Sequence, residues 1–224
     1  MRRVAAVVLA CAVSSLADAD ANADVEADFA AMMAALPSCD AARAHCIGIR
    51  LHVTVADSGP IVAPDWLASQ LAVANRHFAS LDVGFQVVEI DALPASTAHI
   101  GTPGDRDSLA ADRLGSGAIH VFIVGRLDDV DREGQIIRGV TWRTRKDERK
   151  FVIVSVAAPD RVLAHELGHF FGLPHSTAAM SIMNKRERKQ PPVEQRTFTD
   201  AEIAAMQPVL GRLLRTELIA DIAK

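Results

Sequence analysis

The sequence predicts an α/β chain in which a sheet lobe is followed by a smaller helical part. Segments of period two alternate with segments of helical period early in the chain, the order expected when helices pack on a sheet. Two predominantly apolar runs, residues 119–124 and 151–156, read as strands buried on both faces. Helical signals then gather towards the end, where Thr199 and Glu202 form a capping box with Phe198 and Ile203 placed as a hydrophobic staple.

Composition narrows the function classes. Of 224 residues, 50% are apolar and 23% charged, enough to bury a sizeable core. The balance of 24 Lys+Arg against 28 Asp+Glu, a net charge of −4, argues against a nucleic-acid binder. No run of about 18 apolar residues suggests a membrane span. The chain has no tyrosine, which removes one common proton donor from the chemistry.

Residues 1–23 have the layout of a secretory signal peptide. Arg2 and Arg3 form a basic start, 4–16 is apolar or small, and Ala-x-Ala sites follow at Ala17/Ala19, Ala19/Ala21 and Ala21/Ala23. The chain is therefore expected to be exported, periplasmic or extracellular. Cys11 follows Val8-Leu9-Ala10, a loose lipobox, so a lipoprotein anchored through Cys11 is the less favoured alternative. Beyond the leader, residues 24–176 are expected to form the upper lobe and 177–224 the C-terminal helical part.

Residues 24–36 read as a short helix ending before Pro37. Cys39 and Cys46 are two thiols in an exported chain, for which a disulfide is the default reading; the alternative is a Cys39 thiolate capping a metal as a latency device. Residues 47–55 alternate Ile47, Ile49, Leu51, Val53 and Val55, a strand. Pro64 and Asp65 open a helix with Leu67, Leu71, Ala74 and Phe78 on one face. Residues 85–90 form a second strand, and 99–117 read as a polar loop. Residues 139–144 read as a short edge strand, and a helix starts near Pro159 and Asp160. Pro208 is expected to end or kink the last helix, with 210–222 as a second piece.

One stretch carries chemistry: His165-Glu166-Leu167-Gly168-His169, then Gly172-Leu173-Pro174-His175. Helical residues four apart share a face, so His165 and His169 can grip one ion while Leu163, Leu167 and Phe170 face the core. Gly172 can adopt a left-handed conformation and stop the helix, and the chain can return His175 as a third nitrogen ligand. Three imidazoles around Zn²⁺ leave a fourth position for water, and Glu166 is placed to take its proton. A bare His-Glu-x-x-His occurs by chance on helices, but the downstream Gly-x-x-His makes that reading hard to sustain.

The segment 162–184 resembles the metzincin clan of zinc endopeptidases, most of all the matrixins, with pappalysin-like bacterial proteases second. The resemblance implies a mixed twisted sheet with an active-site helix, and a Met-turn at Ser181-Ile182-Met183-Asn184 whose Met183 floors the imidazoles without binding zinc. Met180 is the competitor for that role. It also implies an edge strand, 140–144, that pairs with extended substrate; charged edges also simply discourage aggregation. The loop 184–197 would shape a specificity pocket, where Lys185, Arg186, Arg188 and Lys189 either favour acidic side chains or are merely solvated. The tyrosine that astacins and serralysins place after the Met-turn is absent.

Asp129-Val130-Asp131-Arg132-Glu133-Gly134 begins like a calcium loop, yet Val140 stands where its bidentate glutamate belongs, so Ca²⁺ is weakly supported against a solvated turn. His45, His52, His77, His99 and His120 have no ligand spacing. The expectation is an exported zinc-dependent endopeptidase with one catalytic ion and a protein or peptide substrate. Its rivals are a non-catalytic zinc-containing binding module of the same fold and hydrolysis of a non-peptide amide or ester.

Overall fold

A computed structural model describes residues 10–146, 148–186 and 190–223, with side chains from residue 23 onward. Helix α1 (Ala10–Ala35) precedes strand β1 (His45–Ala56), which turns into the short β2 (Gly59–Pro60). Then come α2 (Pro64–Phe78), β3 (Val83–Leu93), β4 (His99–Ile100), α3 (Pro103–Ala110), β5 (Ile119–Val124) and β6 (Arg126–Leu127). The hairpin of β7 (Gly139–Arg143) and β8 (Lys150–Ser155) leads to α4 (Val162–Phe170), and α5 (Asp200–Arg215) follows.

The main sheet has the order β3-β1-β5-β8-β7, with β2 folded back on the end of β1. The pairings among β3, β1, β5 and β8 are parallel, whereas β7 joins β8 antiparallel. The sheet is thus mixed, and the expected α/β class holds. Alternation sorts the strands onto two faces. Ile47, Ile49, Leu51 and Val53 join Val121, Ile123, Val152 and Val154 in the core that also takes in residues of α2 and α4. Phe122, Val124, Phe151 and Ile153 look the other way, towards Leu109 of α3.

Helix α2 forms where its sequence predicts, with Pro64 in its first turn. Leu67, Leu71, Ala74 and Phe78 are all buried, and each large side chain contributes about 1.5–3 kcal/mol by leaving water. One side chain on this helix positions the next: Gln70 donates to the carbonyls of Ala158 (3.3 Å) and Pro159 (3.0 Å) and accepts from the Leu163 amide (3.1 Å). The start of α4 is thereby tied to α2.

Three expectations need correction. The stretch 99–117 is not simply a polar loop, because it holds β4 and α3. Thr102 and Asp105 form a capping box around Pro103, and Leu109 and Ala110 are buried. Pro208 neither ends nor splits the last helix: α5 runs continuously to Arg215, with Met206 and Leu210 buried on either side of the proline. Packing of that face outweighs the lost amide bond. The third concerns α1, which is longer than the short helix read from residues 24–36.

Residues 1–9 of the expected leader lie outside the described residues, and 10–23 continue into α1. Phe29 and Met32 of α1 are buried in the core. Among the described residues, no helix is long and apolar enough to cross a membrane.

Candidate active site

Helix α4 presents His165 and His169 half-buried at the cleft while Leu163, Leu167 and Phe170 enter the core. Gly172 (φ +96°) stops it, its amide donating to the His169 carbonyl and the Leu173 amide to that of Gly168. The chain turns back, and one nitrogen each of His165, His169 and His175 falls within 4.8 Å of the others. Ring centroids are 4.8 Å apart for His165–His169, 4.7 Å for His169–His175 and 5.5 Å for His165–His175. Among the described residues this is the single cluster of three or more histidine, cysteine or acidic groups with such convergence.

The donor set fits zinc. The Nδ1–H groups of His165 and His169 donate to the carbonyls of Ile182 (2.8 Å) and Leu173 (2.6 Å), an assignment that follows from the acceptors present. Each ring is thereby left with its Nε2 lone pair for a metal, the arrangement that second-layer carbonyls impose on ligand histidines.

Glu166 is buried beneath β7. The Thr141 hydroxyl lies 2.6 Å from its backbone carbonyl and 3.2 Å from its carboxylate Oε2. The strand comes so near that a Cβ on Gly139 would meet Val162 Cγ1 at 2.6 Å and Glu166 Cγ at 2.9 Å. Beyond Gly139, the outer edge of β7 pairs with no other strand among the described residues.

Met183 is fully buried, whereas Met180 is 47% exposed. A Cβ on Gly168 would meet the Met183 sulfur at 2.6 Å, so α4 rests directly on this side chain only because that residue is glycine. The turn is fastened from both sides: Met183 donates its amide to Ser181 Oγ (2.9 Å) and its carbonyl accepts from Ser176 (3.0 Å). Ser181 Oγ in turn donates to Glu202 Oε1 (2.6 Å), whose Oε2 accepts from the Thr199 amide (2.9 Å) at the start of α5.

Thr141, His165, Glu166, His169 and His175 line a cleft of about 1280 Å³. Comparison with known proteins agrees with its geometry. The matrixin family's sequence profile matches residues 128–210. An archaemetzincin from Methanopyrus kandleri superposes with a TM-score of 0.52 at 18% identity, covering 76% of this chain and 98% of that one.

The chain is metzincin-like in family pattern and fold.

Other structures found are a metalloproteinase-II from Bacteroides fragilis (TM-score 0.48, 13% identity, 80% of this chain and 60% of that one) and a zinc-dependent peptidase from Methanocorpusculum labreanum (0.42, 16%, 71% and 100%). No curated protein matches the sequence.

The electrostatics of this metzincin-like site follow from burial. It holds His165 neutral, its pKa lowered to about 4, with the neighbouring His169 and His175 adding to the effect. Burial also lowers His169, aided by Lys150 and Lys185, and lowers His175, aided by His169 and Lys185. Glu166 is pushed up to about 7 by burial against the Thr141 hydrogen bonds; a bound dication would act against that rise.

Several expected features lie away from the metal trio. Cys39 and Cys46 form a disulfide with Cα atoms 5.9 Å apart, so the Cys39 sulfur is not a free thiolate for a latency cap. In the 129–134 turn, Asp129 Oδ1 accepts the Asp131 amide (3.0 Å), an Asx turn in place of a completed calcium loop. His45 pairs with Asp221 (2.9 Å) and His99 with Asp128 (2.8 Å), while His52 and His120 meet each other (2.9 Å) and His77 edges onto Phe198. Arg188 and Lys189 lie outside the described residues.

Sequence reasoning missed Thr141, Gly139, Gly168 and Lys150. Their roles arise across the sheet or under the helix, and no local pattern marks them.

Proposed function

We propose that the chain is an exported zinc-dependent endopeptidase. The observation that carries this reading is the convergence of three imidazole nitrogens within 4.8 Å beside buried Glu166, at a cleft flanked by an unpaired strand edge. His165, His169 and His175 would hold the ion, the first two through Nε2 atoms of rings whose Nδ1 is already bonded to a carbonyl. Zinc bound there supplies Lewis-acid chemistry, lowering the pKa of water and polarising a carbonyl oxygen. Glu166 accepts a proton from the attacking water and delivers it to the leaving nitrogen. The free edge of β7 binds extended peptide backbone by strand addition. Thr141 keeps the Glu166 carboxylate aimed at the cleft.

The test is hydrolysis of casein and of quenched peptides by the mature protein, with chelator and with zinc restored. Cleavage that chelator abolishes and zinc restores is the expected result, with Glu166→Ala retaining one zinc and losing cleavage. Wild type that binds one zinc and cuts no peptide would instead make this a non-catalytic zinc-containing module. Export is tested separately, by N-terminal sequencing of the secreted chain: a start near residue 24 is expected, and retention of Met1 in the cytoplasm overturns it.

A further inference from the structure

Among the described residues, the charge around the histidine trio is one-sided. Among the described residues, the carboxylates lining the cleft besides Glu166 are Asp129 and Asp131, both in the turn before β7. The side chains flanking the trio itself are cationic: Lys150 and Lys185 act on His169, and Lys185 on His175 as well. Exposed Arg186 continues this wall.

Lys150 differs from an ordinary solvated lysine. Lys150 is half-buried, and its ammonium donates to the Phe170 carbonyl at the end of α4 (3.3 Å). It stands directly opposite Arg143 in the β7–β8 ladder, a like-charge pairing that costs stability on a sheet. Arg143 has Glu148 at 3.4 Å, whereas no carboxylate among the described residues pairs with Lys150, Lys185 or Arg186. A dication held by the three histidines would add to this positive field. A concave wall of one sign concentrates the field and draws ligands of the opposite sign.

We propose that the cleft selects peptides carrying acidic side chains next to the scissile bond, with Lys150 and Lys185 receiving the carboxylate. This rests on the peptidase reading above and names its substrate class. The recognition is by charge more than by shape, because lysine is a flexible point charge without the planar fork of arginine.

The experiment uses quenched peptides that are identical except at one position, which carries Glu, Gln or Lys and is moved through the sites flanking the cut. At one or more sites the Glu peptide should exceed its Gln counterpart about tenfold in kcat/KM at low salt, shrinking to about twofold near 1 M salt. Lys185→Glu and Lys150→Gln should each lower the Glu-to-Gln ratio, and Lys185→Glu should raise the relative rate on Lys peptides. Equal rates for Glu and Gln at every site, or a ratio that neither substitution moves, overturn the inference. A readout independent of turnover is fluorescence polarisation of the same labelled peptides with the Glu166→Gln variant. Tighter binding of Glu peptides supports the charge inference even if wild type cuts nothing, the outcome that removes the peptidase reading. Cleavage of Glu and Gln peptides alike does the reverse.

Discussion

The Thr141 hydroxyl reaches both the backbone carbonyl and the side-chain carboxylate of Glu166, joining the middle of the edge strand to the group expected to move the proton. A backbone contact fixes where the strand lies over the helix, and the side-chain contact fixes the carboxylate rotamer. Substrate docking on β7 would therefore be felt at Glu166 through one residue.

Replacing Thr141 by Val keeps the shape and removes both hydrogen bonds. We expect kcat to fall about tenfold with zinc content unchanged, and unfolding free energy to drop by about 1 kcal/mol, the usual worth of such a bond. Thr141→Ser should recover most of the activity. If Val and Ser variants turn over alike, the hydroxyl does not position the carboxylate.

Gly168→Ala is expected to destabilise the protein by about 1–3 kcal/mol, because its methyl would overlap the Met183 sulfur in a filled core. Thermal melting reads the effect. An unshifted midpoint would mean that helix and methionine separate freely.

Pro208 sits inside α5 and supplies no amide to the helix. Pro208→Ala should raise the melting temperature, corresponding to about 1 kcal/mol or more, by restoring one backbone bond. A fall would show that a bend at this proline is needed to seat Met206 and Leu210.

Stability should also depend on a histidine pair on the far face of the sheet. His120 Nε2 lies 3.0 Å from the Gly115 amide and 3.3 Å from its carbonyl; with the nearer amide donating, His120 Nδ1–H donates to His52 Nε2 (2.9 Å). The free Nδ1–H of His52 then faces Asp91 at 3.2 Å, short of hydrogen-bond alignment. Burial, reinforced by His120, Arg113 and Arg50, lowers the His52 pKa from 6.5 to about 3. Between those values the unfolded chain binds a proton that the folded chain refuses. Stability is therefore full above the unfolded pKa and is lost progressively as pH falls towards the folded one. Urea midpoints measured from about pH 7 down to about pH 4 should decline more steeply in wild type than in His52→Gln. Parallel slopes would mean that His52 takes up its proton without unfolding.

What the sequence made legible was local. The 119–124 run is strand β5, and α2 begins at the proline that predicts it. His165 and His169 could be paired on paper because a helix puts residues four apart on one face. Helix α3 escaped because Gly104, Asp105, Asp107 and Ser108 read as loop residues, although Thr102-Pro103-Gly104-Asp105 carried its own start signal. Thr141 and Glu166 are 25 positions apart and meet only after β7 pairs with β8 and α4 folds across them. Lys150 likewise becomes a neighbour of His169 through tertiary packing alone, which is why the loop lysines were visible in sequence and this one was not.

Glu202 closes the first turn of α5 with one oxygen and holds Ser181 with the other, so the helix cap and the turn that carries Met183 share a single carboxylate. The two cannot loosen independently. A disturbance at the start of α5 reaches the His165 ring through Ser181 and the adjoining Ile182 carbonyl, and Glu202 becomes a place where a distant change would be felt at the candidate ligands.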